Sequence, residues 1–344
     1  MTPDVAIVTC IVLLLVFDFT NGFNDTANMV AVVVASHAMT PLQAVLVVGL
    51  FTFLGPVLAG TAVADTLGNF ISLGDLAKPV ALGIILSGVA GAIVLNFTVW
   101  RLGLPSSSSH ALVGGLAGAV WLTAGSDHVM WGWQTLVDQG HFTGFTMIVA
   151  TLLLAPPAGL LLGWLLHKTL HLFLRRATPG INRPLRRLQW LGAAWLAFSH
   201  GANDAQKSMG IITLVLMLGG VIPSFVVPFW VILSCAVAIT LGTLLGGWRI
   251  VSTVGFGIYR LRTIHAFESQ VASAGVISAA AAIGGPVSTT HVVSSTLMGI
   301  GGAERAKAVR WTKAGEIVFT WFITLPAAGL LGSAFYLLIH RFLS

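Results

Sequence analysis

Charge is what this chain has least of: only 8% of its 344 residues are Asp, Glu, Lys or Arg, where a soluble domain carries about 25%. That scarcity excludes an ordinary water-soluble fold. Cysteine is almost missing too, with 2 in the chain. Cys10 and Cys235 both lie in apolar runs without ligand spacing, so they are read as packing residues and say nothing about redox compartment. The N-terminus lacks a charged leader region followed by a small-residue cleavage site, so the first helix is expected to be retained. Finally, no acidic residue stands between Asp138 and Asp204.

What is present is oil. Hydrophobic residues make up 56% of the chain, and mean hydropathy is +0.93. The runs Val5 to Phe17, Pro41 to Ala64, Pro79 to Val99, Gly144 to Leu166, Pro223 to Gly247 and Ile317 to Ile339 are mostly apolar. Several approach the roughly 20 residues that cross a hydrocarbon core, and about 10 to 12 membrane segments are expected in all. They must be helical, because an open sheet edge does not survive in lipid. The 39 glycines suit close packing of such helices, and Trp121, Trp131 and Trp133 are expected at the membrane interface.

The acid-free gap holds Lys168, Arg175, Arg176, Arg183, Arg186 and Arg187. A basic loop over 167–187 is the signature of a cytoplasmic connection, not of a nucleic-acid surface. It divides the chain into an N-terminal transmembrane repeat, 1–166, and a C-terminal one, 188–344. The repeat itself is visible. "TNGFNDTAN" at 20–28 matches "SHGANDAQK" at 199–207, and "PSSSSHALVGGLAG" at 105–118 matches "PVSTTHVVSSTLMG" at 286–299, at offsets of 179 and 181 residues. Duplicated halves with interrupted hydrophobic segments at matching places point to a secondary transporter with its site where the repeats meet.

The duplicated motifs carry the chemistry. Asp25 and Asn28 share one helix face with Asn21, and His200, Asp204 and Lys207 take the same places in the second copy. An ionisable group at membrane depth costs ~2.5 kcal/mol or more and is functional by default. Pro105 and Pro286 break the chain ahead of hydroxyl runs that start new helices. Each motif is therefore read as the tip of a re-entrant helical hairpin lining a cavity. Ser107, Ser108, Ser109, Ser288, Thr289 and Thr290, together with helix N-terminal N–H groups, bind a tetrahedral oxyanion without fixed positive charge. His110 and His291 are assigned a packing role. Carboxylates beside an anion repel it, so positive charge must bind with it. Asn24, Asp25, Asn203 and Asp204 are the candidate cation-coupling residues. Asn24, Asp25 and Asn28 offer hard oxygens that could hold one sodium, or a protonated carboxylate could do the same work.

At these residues the chain resembles the inorganic phosphate transporter (PiT) family, through "GFNDTAN", "GANDAQK" and the two Pro-x-Ser-x-x-His segments. The resemblance implies an all-α integral membrane fold, an inverted-repeat secondary transporter with two re-entrant helical hairpins, and often a homodimer. It implies that Asp25, Asn28, Ser107 to Ser109, Asp204 and Ser288 to Thr290 surround phosphate and its coupling ion. Sodium-coupled members usually have asparagine in both copies at the place of Asn28. Here the second copy has Lys207, as in proton-coupled bacterial relatives. The resemblance further implies that the short chain lacks a regulatory loop domain.

The expectation is a multi-pass protein of the cell (inner) membrane that takes up inorganic phosphate by symport, with protons ahead of sodium as the co-transported cation and no other cofactor. Its partners are phosphate, membrane lipid and a second copy of itself, with no nucleic acid. A sulfate carrier of the same fold is the nearest alternative, since sulfate is also tetrahedral. A membrane phosphatase is a more distant one. An enzyme needs one activated nucleophile, whereas here the whole set is duplicated.

Overall fold

The computed structural model describes residues 3–103, 106–246 and 262–343. Pro105 and Gly247, both invoked above, lie outside the described residues. Twelve α-helices run through the rest: α1 (Pro3–Ala35), α2 (Pro41–Leu58), α3 (Ala62–Gly68), α4 (Lys78–Arg101), α5 (Ser108–Ala124), α6 (Trp133–Gln139), α7 (Gly144–Leu174), α8 (Asn182–Gly219), α9 (Phe229–Leu245), α10 (Thr263–Ala282), α11 (Thr289–Arg305) and α12 (Trp311–Leu343). Among the described residues there is no strand, only an isolated bridge between Ile71 and Val129.

By length and composition, five helices can cross a membrane: α1, α2, α4, α7 and the Ala314–His340 part of α12. At 17 residues, α9 is a shorter apolar helix. The larger number expected from hydropathy is not reached among the described residues, because the other helices are short or carry polar stretches. Apolar runs also proved poor guides to helix ends. Pro41 to Ala64 is divided at Gly60 (φ 85°) between α2 and α3. In contrast, α1 continues from its apolar start straight through the Asn-Asp motif, and α8 does so for 38 residues. The basic stretch 167–187 is helical at both ends, with α7 running to Leu174 and α8 starting at Asn182.

Local chemistry sets the starts and stops. Thr40 caps α2 through a capping box with Gln43, and Pro41 occupies the first helical position. Ser107 caps α5 and Ser288 caps α11, each accepting from the backbone N–H three residues on, His110 at 3.2 Å and His291 at 3.4 Å. The links α4 to α5 and α10 to α11 each turn on a left-handed glycine, Gly103 (φ 68°) and Gly284 (φ 76°), a conformation glycine adopts without penalty.

Helix contacts come in exchanged pairs. The N-terminal α1 packs on α9 and α8 packs on α2; likewise α5 packs on α12 and α11 on α7. Each of α4 and α10 lies against the short helix that follows it. These exchanges bring the middles of α1 and α8 together with the starts of α5 and α11.

Candidate functional site

The centre of the molecule is polar where its surroundings are not. Asn21, Asp25 and Asn28 on α1, and His200, Asn203, Asp204 and Lys207 on α8, are all buried, as are Ser107 to Ser109 and Ser288 to Thr290. Both long helices have polar residues three and four apart, so each presents a stripe on one face, and the stripes face each other. Asn21 Nδ2 donates to Asp204 Oδ2 at 2.9 Å.

The starts of α5 and α11 close this pair from the sides. Ser108 Oγ donates to Asn21 Oδ1 at 2.6 Å. Thr290 Oγ1 donates to Asp25 Oδ1 at 2.6 Å, and Asn28 Nδ2 reaches both Asp25 Oδ1 (2.9 Å) and Thr290 Oγ1 (2.8 Å). Thr289 Oγ1 is 3.5 Å from Asp204 Oδ1 and 3.1 Å from His200 Nδ1. Thus α1 is bound to α11, and α8 to both α1 and α11, by side chains alone.

Lys207 is the cation of this group. Its ammonium lies 2.8 Å from Asp204 Oδ1 and donates to Ser109 Oγ at 2.5 Å and to the Val287 carbonyl at 3.0 Å. A lysine has three donors and here all three have acceptors. One of these lies at the start of α5 and another just ahead of α11, so the ammonium links the two helix starts. Asp25 has no such partner: no Lys or Arg forms an ion pair with it among the described residues.

Some predicted residues do other work. Ser107 and Ser288 cap their helices, and Ser107 also pairs with His110 Nδ1 at 2.7 Å. The rings of His110 and His291 lie 4.8 Å apart, and His291 stacks on Trp321, as packing residues would. These two rings, with Leu152, Pro156, Trp321 and Pro326, line a mostly apolar cavity of about 320 Å³ whose walls carry no Lys or Arg. Asn203 holds the backbone just ahead of α11, donating to the Gly285 carbonyl and accepting from Val287 N–H, both at 3.0 Å. Asn24 is only half buried and joins no hydrogen bond of the group.

For a bound cation the structure offers two arrangements. Asp25, His200 and Asp204 present ligand atoms all within 4.8 Å of one another. Asn28 Oδ1, beside Asp25, is a buried acceptor with no hydrogen-bond partner among the described residues, the kind of group a hard cation satisfies.

Sequence reasoning passed over Asp18, buried on α1 and bonded to Ser208 Oγ at 2.5 Å. Its spacing from Asp25, two helical turns on the same face, was the available signal. A separate polar group joins α7, α10 and α11: His167 Nδ1 to Glu268 Oε2 at 2.9 Å and His265 Nε2 to Glu304 Oε2 at 3.0 Å. No motif announced it.

Comparison with known proteins gives the family and the fold. Residues 21–332 match the Phosphate transporter family. A "Probable low-affinity inorganic phosphate transporter" of Rhizobium meliloti (strain 1021) is 39% identical over 332 residues, covering 96% of this chain and 95% of the relative. One of the same name from Bacillus subtilis (strain 168) is 37% identical, covering 95% of each. A solved structure described as "The sodium-dependent phosphate transporter" has a TM-score of 0.85 at 23% identity, covering 98% of this chain and 99% of that one. At that identity the likeness speaks for the fold.

Proposed function

The chain belongs to the phosphate transporter family, and from that premise we propose that it is a symporter carrying inorganic phosphate with protons across the bacterial plasma membrane. The observation that carries this reading is the meeting of Asp25, Asp204 and two hydroxyl-bearing helix starts in one buried place. Helix N-termini, with Ser108, Ser109, Thr289 and Thr290 beside them, supply donors to an oxyanion. They can turn from the side chains they now hold to the phosphate oxygens.

Charge decides the coupling. Asp25 and Asp204 contribute two negatives and Lys207 one positive, so the empty site is negative by one. A phosphate mono- or dianion would deepen that, which a low-dielectric interior does not tolerate. One or two positive charges must enter with it. On the α8 side the place is taken, because the Lys207 ammonium already joins Asp204 to both hairpins. The coupling event is therefore protonation of Asp25. Sodium is the second reading, favoured by the unpartnered Asn28 Oδ1, with Asn24, Asp25 and Asn28 as its ligands.

The exchanged helix contacts and the matched glycines Gly103 and Gly284 support two inverted repeats, 1–166 and 188–344, each with a re-entrant hairpin at α4–α5 and α10–α11. Access alternates as one repeat rocks against the other. The basic stretch 167–187 lies in the cytoplasm, and the protein works as a homodimer with no enzymatic step.

Uptake of labelled phosphate into proteoliposomes under imposed gradients tests this directly. Uptake should rise as the external side is acidified and be indifferent to sodium. Strict sodium dependence with no response to a proton gradient would refute proton coupling and establish the second reading. Strong competition by sulfate would change the cargo.

A further inference from the structure

A third carboxyl lies in the same core and is left unused by the phosphate site. Asp18 sits on α1 two turns before Asp25 and is fully buried. Its Oδ1 accepts from Ser208 Oγ at 2.5 Å, while that hydroxyl also lies 3.3 Å from the Leu14 carbonyl. Its Oδ2 has no hydrogen-bond partner among the described residues. Its polar neighbours are Cys235 on α9 and Asp204 and Lys207 on α8. Of the other helices packed on α1, α4 has Lys78 and Arg101 only at its two ends and α2 has no charged residue; α10 and α11 also touch α1, with Glu268 paired to His167, His265 paired to Glu304, His291 stacked on Trp321 and Arg305 in the last turn of α11. Lys207, the cation that neighbours it among the described residues, is already engaged by Asp204, Ser109 and Val287.

An ionised carboxylate there would be buried without compensation, whereas the neutral acid costs far less. Building on the proton-coupled reading above, we propose that Asp18 is a second proton-binding site of this transporter, loading one proton per cycle on its free Oδ2. Ser208 is the chain neighbour of Lys207, so the Asp18 carboxyl and the Asp204–Lys207 pair are held by one turn of α8. With Asp18 neutral, the core is negative by one before phosphate binds; with Asp18 ionised, it is negative by two. Phosphate occupancy and protonation of Asp18 therefore favour each other. The proton comes from water on the side to which the site opens and leaves to water on the other side. At the matching position of the second copy stands Ala197, so this duty belongs to the first repeat alone.

Asp18→Asn mimics the neutral acid and separates the possibilities in proteoliposomes. Phosphate–phosphate exchange, which needs no net proton movement, should stay within about twofold of wild type. Accumulation driven by an imposed pH difference should fall about tenfold per unit of that difference, one proton fewer per cycle being one factor of ten. Infrared spectra should also show a protonated-carboxyl carbonyl band in wild type that is missing in Asp18→Asn. Wild-type accumulation in the variant would overturn the inference. So would loss of exchange together with accumulation, or a variant that fails to fold, since either marks Asp18 as structural or ionised. If wild-type transport ignores protons altogether, the proposed coupling fails instead, and the infrared band alone decides the state of Asp18.

Discussion

The fate of Asp204 depends on one side chain. Its carboxylate is buried and lies 2.8 Å from the Lys207 ammonium, and breaking such a pair leaves an uncompensated charge costing about 3–5 kcal/mol. Lys207→Asn should therefore lose phosphate uptake in sodium-free medium and lower the melting temperature, with sodium restoring part of both. Full proton-driven uptake by this variant without sodium would show that the ammonium is not the built-in cation. The hydroxyls give a smaller effect. Removing one donor in Ser108→Ala or Thr289→Ala should weaken phosphate binding by about 1–2 kcal/mol, the order of a hydrogen bond to a charged group. Titration of purified, normally folded protein with phosphate would detect it; unchanged affinity in both variants would mean the anion binds elsewhere.

At the scale of helices, the site depends on how closely α1 and α8 are held. A Cβ at Gly22 would run into the Ile239 carbonyl of α9, and one at Gly201 into the Thr52 carbonyl of α2. The two glycines are at the same place in the repeated motif, and each lies against the other half's second helix. Backbone atoms cannot swing aside as a side-chain tip can, so overpacking at either position costs ~1–3 kcal/mol or more. Gly22→Ala and Gly201→Ala should both melt at lower temperature in detergent, by similar amounts, and transport more slowly. A clear drop in only one of them would show that the two contacts are not equivalent.

The membrane orientation of the molecule is the widest prediction. Arg176 in the link between α7 and α8 and Arg186 near the start of α8 are both exposed. Cysteines placed at these positions should react with a membrane-impermeant reagent only from the cytoplasmic side. Labelling in intact cells would reverse the topology.

Much of this was legible in the chain itself, and for a physical reason. Burying Asp25, Asp204 or Lys207 at membrane depth is so costly that their presence in an oily sequence marks a site without any coordinates. The repeated spacing of the two motifs placed the four parts of that site in two matching halves. Helix ends were less readable: hydropathy alone gave no hint that α1 and α8 continue unbroken through their polar stretches, since lipid-facing and protein-facing turns differ only once neighbours are known. What the tertiary structure alone decided was partnership. Sequence treats Asn24 and Asn203 alike, yet Asn203 grips the backbone just ahead of α11 while Asn24 forms no bond in the group. Lys207 could have paired with Asp204 alone, but it also bridges Ser109 and Val287, 98 and 80 residues away. Composition and spacing determine which groups are costly enough to need partners; only the packing of distant helices determines which partner each one finds.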